Sequence, residues 1–141
     1  MTPKFLTLDV VTPDRPIVHE EVDEVQLPGA EGALGILPRH APLLAQLQPG
    51  ELWYRKGHER HFLSIEFGIA EVLPDRVTVL ATLAERPEEI DVSQAETARK
   101  QAAEEMRRSV TAEDAERARL AMMTALVRMR MAERARVRRG H

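Results

Sequence analysis

The apolar pattern of this chain changes period once. Up to Ala84 apolar residues alternate with polar ones in short runs separated by turn residues, whereas beyond it they recur at steps of three and four. A period of two belongs to a half-buried strand and a period near 3.6 to a helix with one apolar face. The chain is therefore expected to be α+β: a strand-built part over 1–84, a connector over 85–90 and a helical part over 91–141.

Within the first part, Phe5-Leu6-Thr7-Leu8-Asp9-Val10 alternates into the turn Thr12-Pro13-Asp14-Arg15-Pro16, and Val22, Val25 and Leu27 lead into a long segment rich in glycine and proline. Leu52–Arg55 and His61–Ile65 form a hairpin around Lys56-Gly57-His58. Ile69–Leu73 and Val77–Leu83 are separated by Pro74-Asp75-Arg76. Many short strands at close spacing imply a β-sandwich or barrel. In the segment 27–52, Gly29, Gly32, Gly35 and Gly50 alternate with Pro28, Pro38, Pro42 and Pro49. Glycine supplies positive φ, and proline fixes φ and removes a ladder donor, so the chain must change direction here repeatedly.

After the charged connector, Asp91 is placed to cap a helix, with Gln94 reaching back as in a capping box and Ile90 set to staple against Ala95. The first helix runs to about Arg108. Ser109-Val110-Thr111 forms the turn, and Thr111 with Asp114 repeats the capping pattern for a second helix ending near Arg136. Ala115, Ala118, Met122, Ala125, Met129 and Ala132 make one seam, facing Ala95, Ala98, Ala102 and Met106 in an antiparallel hairpin.

The net charge of −3 conceals two unlike halves. Residues 1–90 hold eight Lys and Arg against fifteen Asp and Glu, a net of −7, while residues 91–141 hold twelve against eight, a net of +4. From Leu120 onward there are six arginines and one acid, Glu133. An acidic partner surface is the natural complement. Arg130, Arg134 and Arg138, at steps of four, suit such docking, a solvated helix face being the default reading. Nucleic acid fits less well, because aromatics are only 4% and all precede the helices. Without cysteine there are no disulfides and no thiolate chemistry. No run approaches the roughly 18 apolar residues of a membrane span.

Catalysis finds no support. Gly29-x-x-Gly32-x-x-Gly35 runs into Ile36-Leu37-Pro38 rather than opening a helix whose amides could hold phosphate. The histidines, His19, His40, His58, His61 and His141, show no metal-ligand spacing, so no metal is expected. Ser64, Ser93 and Ser109 lack the setting of an activated nucleophile.

The order Gly-x-x-Gly-x-x-Gly-Ile-Leu-Pro-x-His-Ala-Pro-Leu-Leu, followed by Pro-Gly, resembles the epsilon subunit of bacterial F-type ATP synthases. Leu8-Asp9-Val10-Val11-Thr12-Pro13, Val22-Asp23-Glu24-Val25, Glu71-Val72, Val77-Thr78-Val79-Leu80 and the terminal hairpin extend the likeness over essentially the whole chain. The resemblance implies an N-terminal β-sandwich and a non-catalytic rotor subunit at the foot of the central stalk, on the cytoplasmic face of the bacterial plasma membrane and attached to it only through the complex. It assigns contact with the gamma subunit to His40, Ala41, Pro42 and Leu43, His40 being equally readable as a polar turn residue. It places the proton-driven c-ring against the loop Ala30, Glu31, Gly32 and Ala33. In some members the hairpin extends and its basic helix meets acidic segments of the alpha and beta subunits, blocking hydrolysis; the matching residues are Arg128, Arg130, Arg134 and Arg138.

Two departures, Phe67-Gly68 for Gly-Gly and Ala81-Thr82-Leu83-Ala84 for Ala-Asp-Thr-Ala, bear on packing. A third bears on a ligand. ATP-binding members open the first helix with Ile/Leu-Asp-x-x-Arg-Ala, and Ile90, Asp91, Gln94 and Ala95 form a degenerate version here. Glutamine lacks the cation for phosphate, so no cofactor is expected and regulatory ATP is disfavoured. An alternative from another class is a free-standing adaptor whose basic helix binds nucleic acid or an acidic protein.

Overall fold

The computed structural model describes residues 4–139, with side chains through Val137. The chain divides into two compact units, at Ala84 and Glu85.

The first unit is a β-sandwich. Its strands are β1 Leu6–Val11, β2 Pro16–Val22, β3 Glu24–Gly29, β4 Gly32–Ile36, β5 Leu43–Leu47, β6 Gly50–Lys56, β7 Glu59–Ile65, β8 Gly68–Leu73 and β9 Arg76–Ala81. They pair in the order β7-β6-β3-β5-β8-β9-β1-β2, with β4 on β3. Burial alternates residue by residue, as in β1 and β3, so one face of each strand supplies the core. Leu6, Leu8, Leu27, Ile36, Leu52, Leu63 and Ile65 are fully enclosed there. The expected hairpin forms, β6 and β7 pairing from Gly50↔Ile65 to Lys56↔Glu59, and the two strands flanking Pro74-Asp75 also pair, β8 with β9 from Gly68↔Ala81 to Leu73↔Arg76. Local patterning does not reveal that β1 runs parallel to β9, register Leu8↔Val77.

A two-residue strand, Ala84–Glu85, leads out of this unit. In the second unit a 3-10 turn at Pro87–Glu89 precedes α1, Val92–Arg108, and α2, Ala112–Arg139. Asp91 caps α1, its carboxylate accepting the Gln94 backbone N–H at 3.1 Å, and the Thr111 hydroxyl accepts the Asp114 N–H at 3.0 Å. The capping box is incomplete. The Gln94 side chain does not return to Asp91; it accepts a hydrogen bond from Arg128, and a charged donor outcompetes a neutral amide.

The helices form the expected hairpin, but its seam is shorter. Ala95, Ala102, Ala118, Ala125 and Ala132 are buried, whereas Ala115 is exposed and Met106 is 43% exposed. Both lie near the turn, where Val110 is 94% exposed and charged residues crowd the helix ends. Opposed methyl groups bury too little area to hold that end closed against hydration of its charges. Towards the other end the buried face widens to Val127, Arg128, Met131 and Ala135.

Candidate functional site

The glycine–proline segment places two sequence-predicted surfaces on the sandwich. Between β3 and β4 the turn is only Ala30-Glu31, because Gly29 pairs with Gly32. Gly32 has φ +132°, and a Cβ on Gly29 would fall 2.5 Å from the Gly32 carbonyl oxygen, so both positions require glycine. The Ala30 N–H donates to the Gln46 carbonyl at 2.8 Å, tying the loop base to β5. Ala30, Glu31, Gly32 and Ala33 are all exposed, forming an acidic-tipped finger on a rigid hairpin.

The second turn, between β4 and β5, holds an unforeseen backbone feature. Arg39 has φ 73°, a left-handed conformation uncommon for a residue with a Cβ. Its N–H donates to the Pro74 carbonyl at 2.7 Å, anchoring the strained residue to the β8–β9 turn. Neighbouring His40 is half-buried, its Nδ1 2.8 Å from the Ala41 carbonyl oxygen. Ala41, Pro42 and Leu43 are exposed. The Ala30–Ala33 loop and Leu43 share one cleft of about 480 Å³, lined also by Leu44 and Gln46; His40 stands outside it.

Beside that cleft the outward face of the sheet carries an apolar patch that sequence reading missed. Leu44 is 72% exposed, and Ile69 and Leu80, directly paired across β8 and β9, are also exposed. Alternation predicts such positions to be polar; three apolar residues there are the signal available in the sequence.

A polar strap crosses the sandwich elsewhere. Glu20 on β2 accepts from Lys56 Nζ at 2.9 Å and from the Tyr54 hydroxyl at 3.0 Å, both on β6. The Lys56 ammonium holds the Glu20 carboxyl below the usual carboxylate range against the opposing effect of burial, and the Tyr54 hydroxyl adds a smaller push in the same direction as Lys56.

On the second unit the four singled-out arginines separate. Arg130 is exposed, Arg134 is half-buried, and the Arg138 side chain lies outside the described residues. Arg128 is buried. Its guanidinium bonds Glu85 and Gln94, so Gln94 belongs to a cluster with Glu85 and Arg128. Ile90 and Ala95 are buried and the Asp91 carboxylate is occupied by its cap. No group of side chains suited to a metal ion occurs among the described residues.

The family model of the ATP synthase delta/epsilon chain beta-sandwich domain matches residues 5–87. The ATP synthase epsilon chain of Herpetosiphon aurantiacus is 49% identical over 128 residues, spanning 91% of this chain and 94% of the relative. That of Dehalococcoides mccartyi strain BAV1 is 46% identical over 132 residues, spanning 93% and 94%. This chain belongs to the ATP synthase epsilon family. As an epsilon chain it is a non-catalytic subunit of the synthase, which leaves the free-standing adaptor without support. A chain in the cryo-EM structure of Euglena gracilis mitochondrial ATP synthase shares its fold, with a TM-score of 0.79 at 24% identity over 94% of this chain and 83% of that one.

Proposed function

We propose that this epsilon chain works as a rotor subunit of the central stalk, coupling proton-driven rotation of the c-ring to the catalytic head through gamma, and that its helices restrain ATP hydrolysis. The observation that carries the reading is the extent of the family match, which takes in the helices as well as the sandwich. The rigid Ala30–Ala33 finger suits the c-ring contact, being exposed and fixed at its base. The turn around His40 and Leu43, continuous with the apolar patch at Leu44, suits gamma. Residence at the cytoplasmic face of the bacterial plasma membrane then comes through these partners; no helix among the described residues is long and apolar enough to cross a membrane.

For the regulatory part, Arg130, Arg134 and Arg138 would meet acidic segments of the alpha and beta subunits when the hairpin extends. Regulatory ATP is not part of this reading, because Gln94 replaces a cation and is already engaged. Copurification with gamma tests the rotor assignment. Replacing Arg130, Arg134 and Arg138 with alanine tests the restraint: hydrolysis by the assembled synthase should rise severalfold, and added salt should reproduce part of that rise, since exposed charges are screened over about 8 Å at physiological ionic strength. Unchanged hydrolysis under both conditions would leave these arginines as a solvated face.

A further inference from the structure

Among the described residues, Arg128 is the one charged residue that is buried, at 7% exposure. A guanidinium enters such surroundings only with its donors matched, because an unpaired buried charge is strongly destabilising. Here the match is made by two segments distant in sequence. Nε donates to Glu85 Oε1 at 2.7 Å and Nη2 to Glu85 Oε2 at 3.3 Å, while Nη2 also donates to Gln94 Oε1 at 2.9 Å. Glu85 precedes the 3-10 turn, and Gln94 lies in the first turn of α1, where Asp91 fixes its backbone. One side chain of α2 therefore holds both the connector and the start of α1.

Three further ion pairs of α2 differ in kind. Arg117, Arg119 and Arg136 each bond the acid three residues earlier on the same helix. Such pairs move with the helix and hold it against nothing. The hairpin seam consists mainly of alanines, and the Arg128 cluster adds to it a directional link between the middle of α2 and both the connector and α1. Burial in company with Val127 and Met131 keeps water from replacing its bonds.

We propose that Glu85, Arg128 and Gln94 form a latch that keeps the hairpin closed without any ligand, and that opening of α2 requires all three bonds to break together. The regulatory consequence rests on the function proposed above, since a latched α2 is withheld from other subunits. The latch itself is a property of the isolated chain and is tested there.

Hydrogen exchange of the intact chain is the experiment. Glu85→Gln strands the guanidinium without its counter-charge, and amides of residues 120–137 should then exchange on the order of a hundredfold faster while β1, β8 and β9 keep their protection. Arg128→Met removes the buried charge and should cost less, and the double variant Glu85→Gln with Arg128→Met should exchange more slowly than Glu85→Gln alone. Rates within twofold of the natural chain for Glu85→Gln, or independent multiplication of the two effects, overturn the latch. Should Glu85→Gln abolish the helices, Gln94→Leu removes one neutral acceptor and should quicken exchange about tenfold; an unchanged rate overturns the proposal equally. Hydrolysis does not enter this measurement, so failure of the regulatory reading would leave its result standing.

Discussion

The sandwich and the hairpin answer the same problem, holding a short chain folded, with opposite means. The sandwich encloses leucine, isoleucine and valine from β1, β3, β4, β6, β7, β8 and β9 in one cluster. Between the helices the buried residues are chiefly alanines, with Met131 the large fully enclosed side chain. At roughly 25 cal/mol per Å² of apolar area, a leucine contributes several times what an alanine does. The first unit can thus be stable on dispersed apolar burial, while the second depends on a few directional bonds concentrated at Arg128. That difference in composition is what the proposed latch rests on.

Cutting the chain after Ala84 tests the contrast most severely. The sandwich should fold by itself and keep its affinity for gamma, since its core draws on no residue beyond that point. Gel filtration with gamma and a cooperative thermal melt would show this. An unfolded fragment, or one unable to bind, would mean that the helices supply what the sandwich lacks.

Single core truncations come next in size. Leu8→Ala should lower the stability of the sandwich by about 2–5 kcal/mol, seen as a lower melting temperature of the main transition. Met131→Ala removes a comparably buried side chain, yet its effect should be confined to faster hydrogen exchange in α1 and α2. If Met131→Ala shifts the main transition as far as Leu8→Ala does, the two units share one cooperative unfolding and the distinction drawn here is wrong.

Much of this organisation was legible because it is local. The β6–β7 and β8–β9 hairpins follow from alternation on either side of Gly57-His58 and Pro74-Asp75, and the caps at Asp91 and Thr111 from side chains acting three residues ahead. What stayed hidden is long-range or depends on the backbone. Nothing near β1 announces a parallel partner in β9. Arg39 takes a left-handed conformation that its side chain does not favour, imposed by the Pro74 carbonyl. The Arg128 cluster joins positions 43 and 34 residues apart, so from sequence Arg128 read as one of a run of surface arginines and Gln94 as half of a capping box. The seam was overextended at Ala115 and Met106 because helical spacing shows which residues share a face and not how far along it the partner stays in contact.

The position of Gln94 makes a smaller and more specific test. Gln94→Arg supplies the arginine that the resemblance to an ATP-binding motif would call for, but here it would bring a second guanidinium towards Arg128 and lose the Oε1 acceptor. We expect helix protection to fall by a factor of about ten, equivalent to about 1.4 kcal/mol, and calorimetric titration to show at most weak ATP binding by the natural chain. Micromolar affinity of the natural chain would show that the cluster opens readily to admit phosphate, contrary to the role assigned to it.

The smallest effect is expected at the exposed counterpart of the latch, the Glu20 strap. Its carboxylate and Lys56 are both more than one-third exposed, so solvent screening leaves the pair about 0.2–1 kcal/mol. Because Lys56 and Tyr54 depress the folded-state pKa of Glu20, its contribution is fully present above the unfolded glutamate value of roughly 4.3 and is lost as pH falls from there through the folded value. Glu20→Gln should therefore lower the melting temperature of the sandwich slightly at neutral pH and flatten the loss of stability below about pH 4, where the two proteins should converge. High salt should shrink the neutral-pH difference, while hydrogen exchange in the helices of Glu20→Gln should remain that of the natural chain. A difference that persisted at low pH or in high salt would mean that Glu20 acts through packing rather than charge, and the separation between a screened surface strap and a buried latch would lose its physical basis.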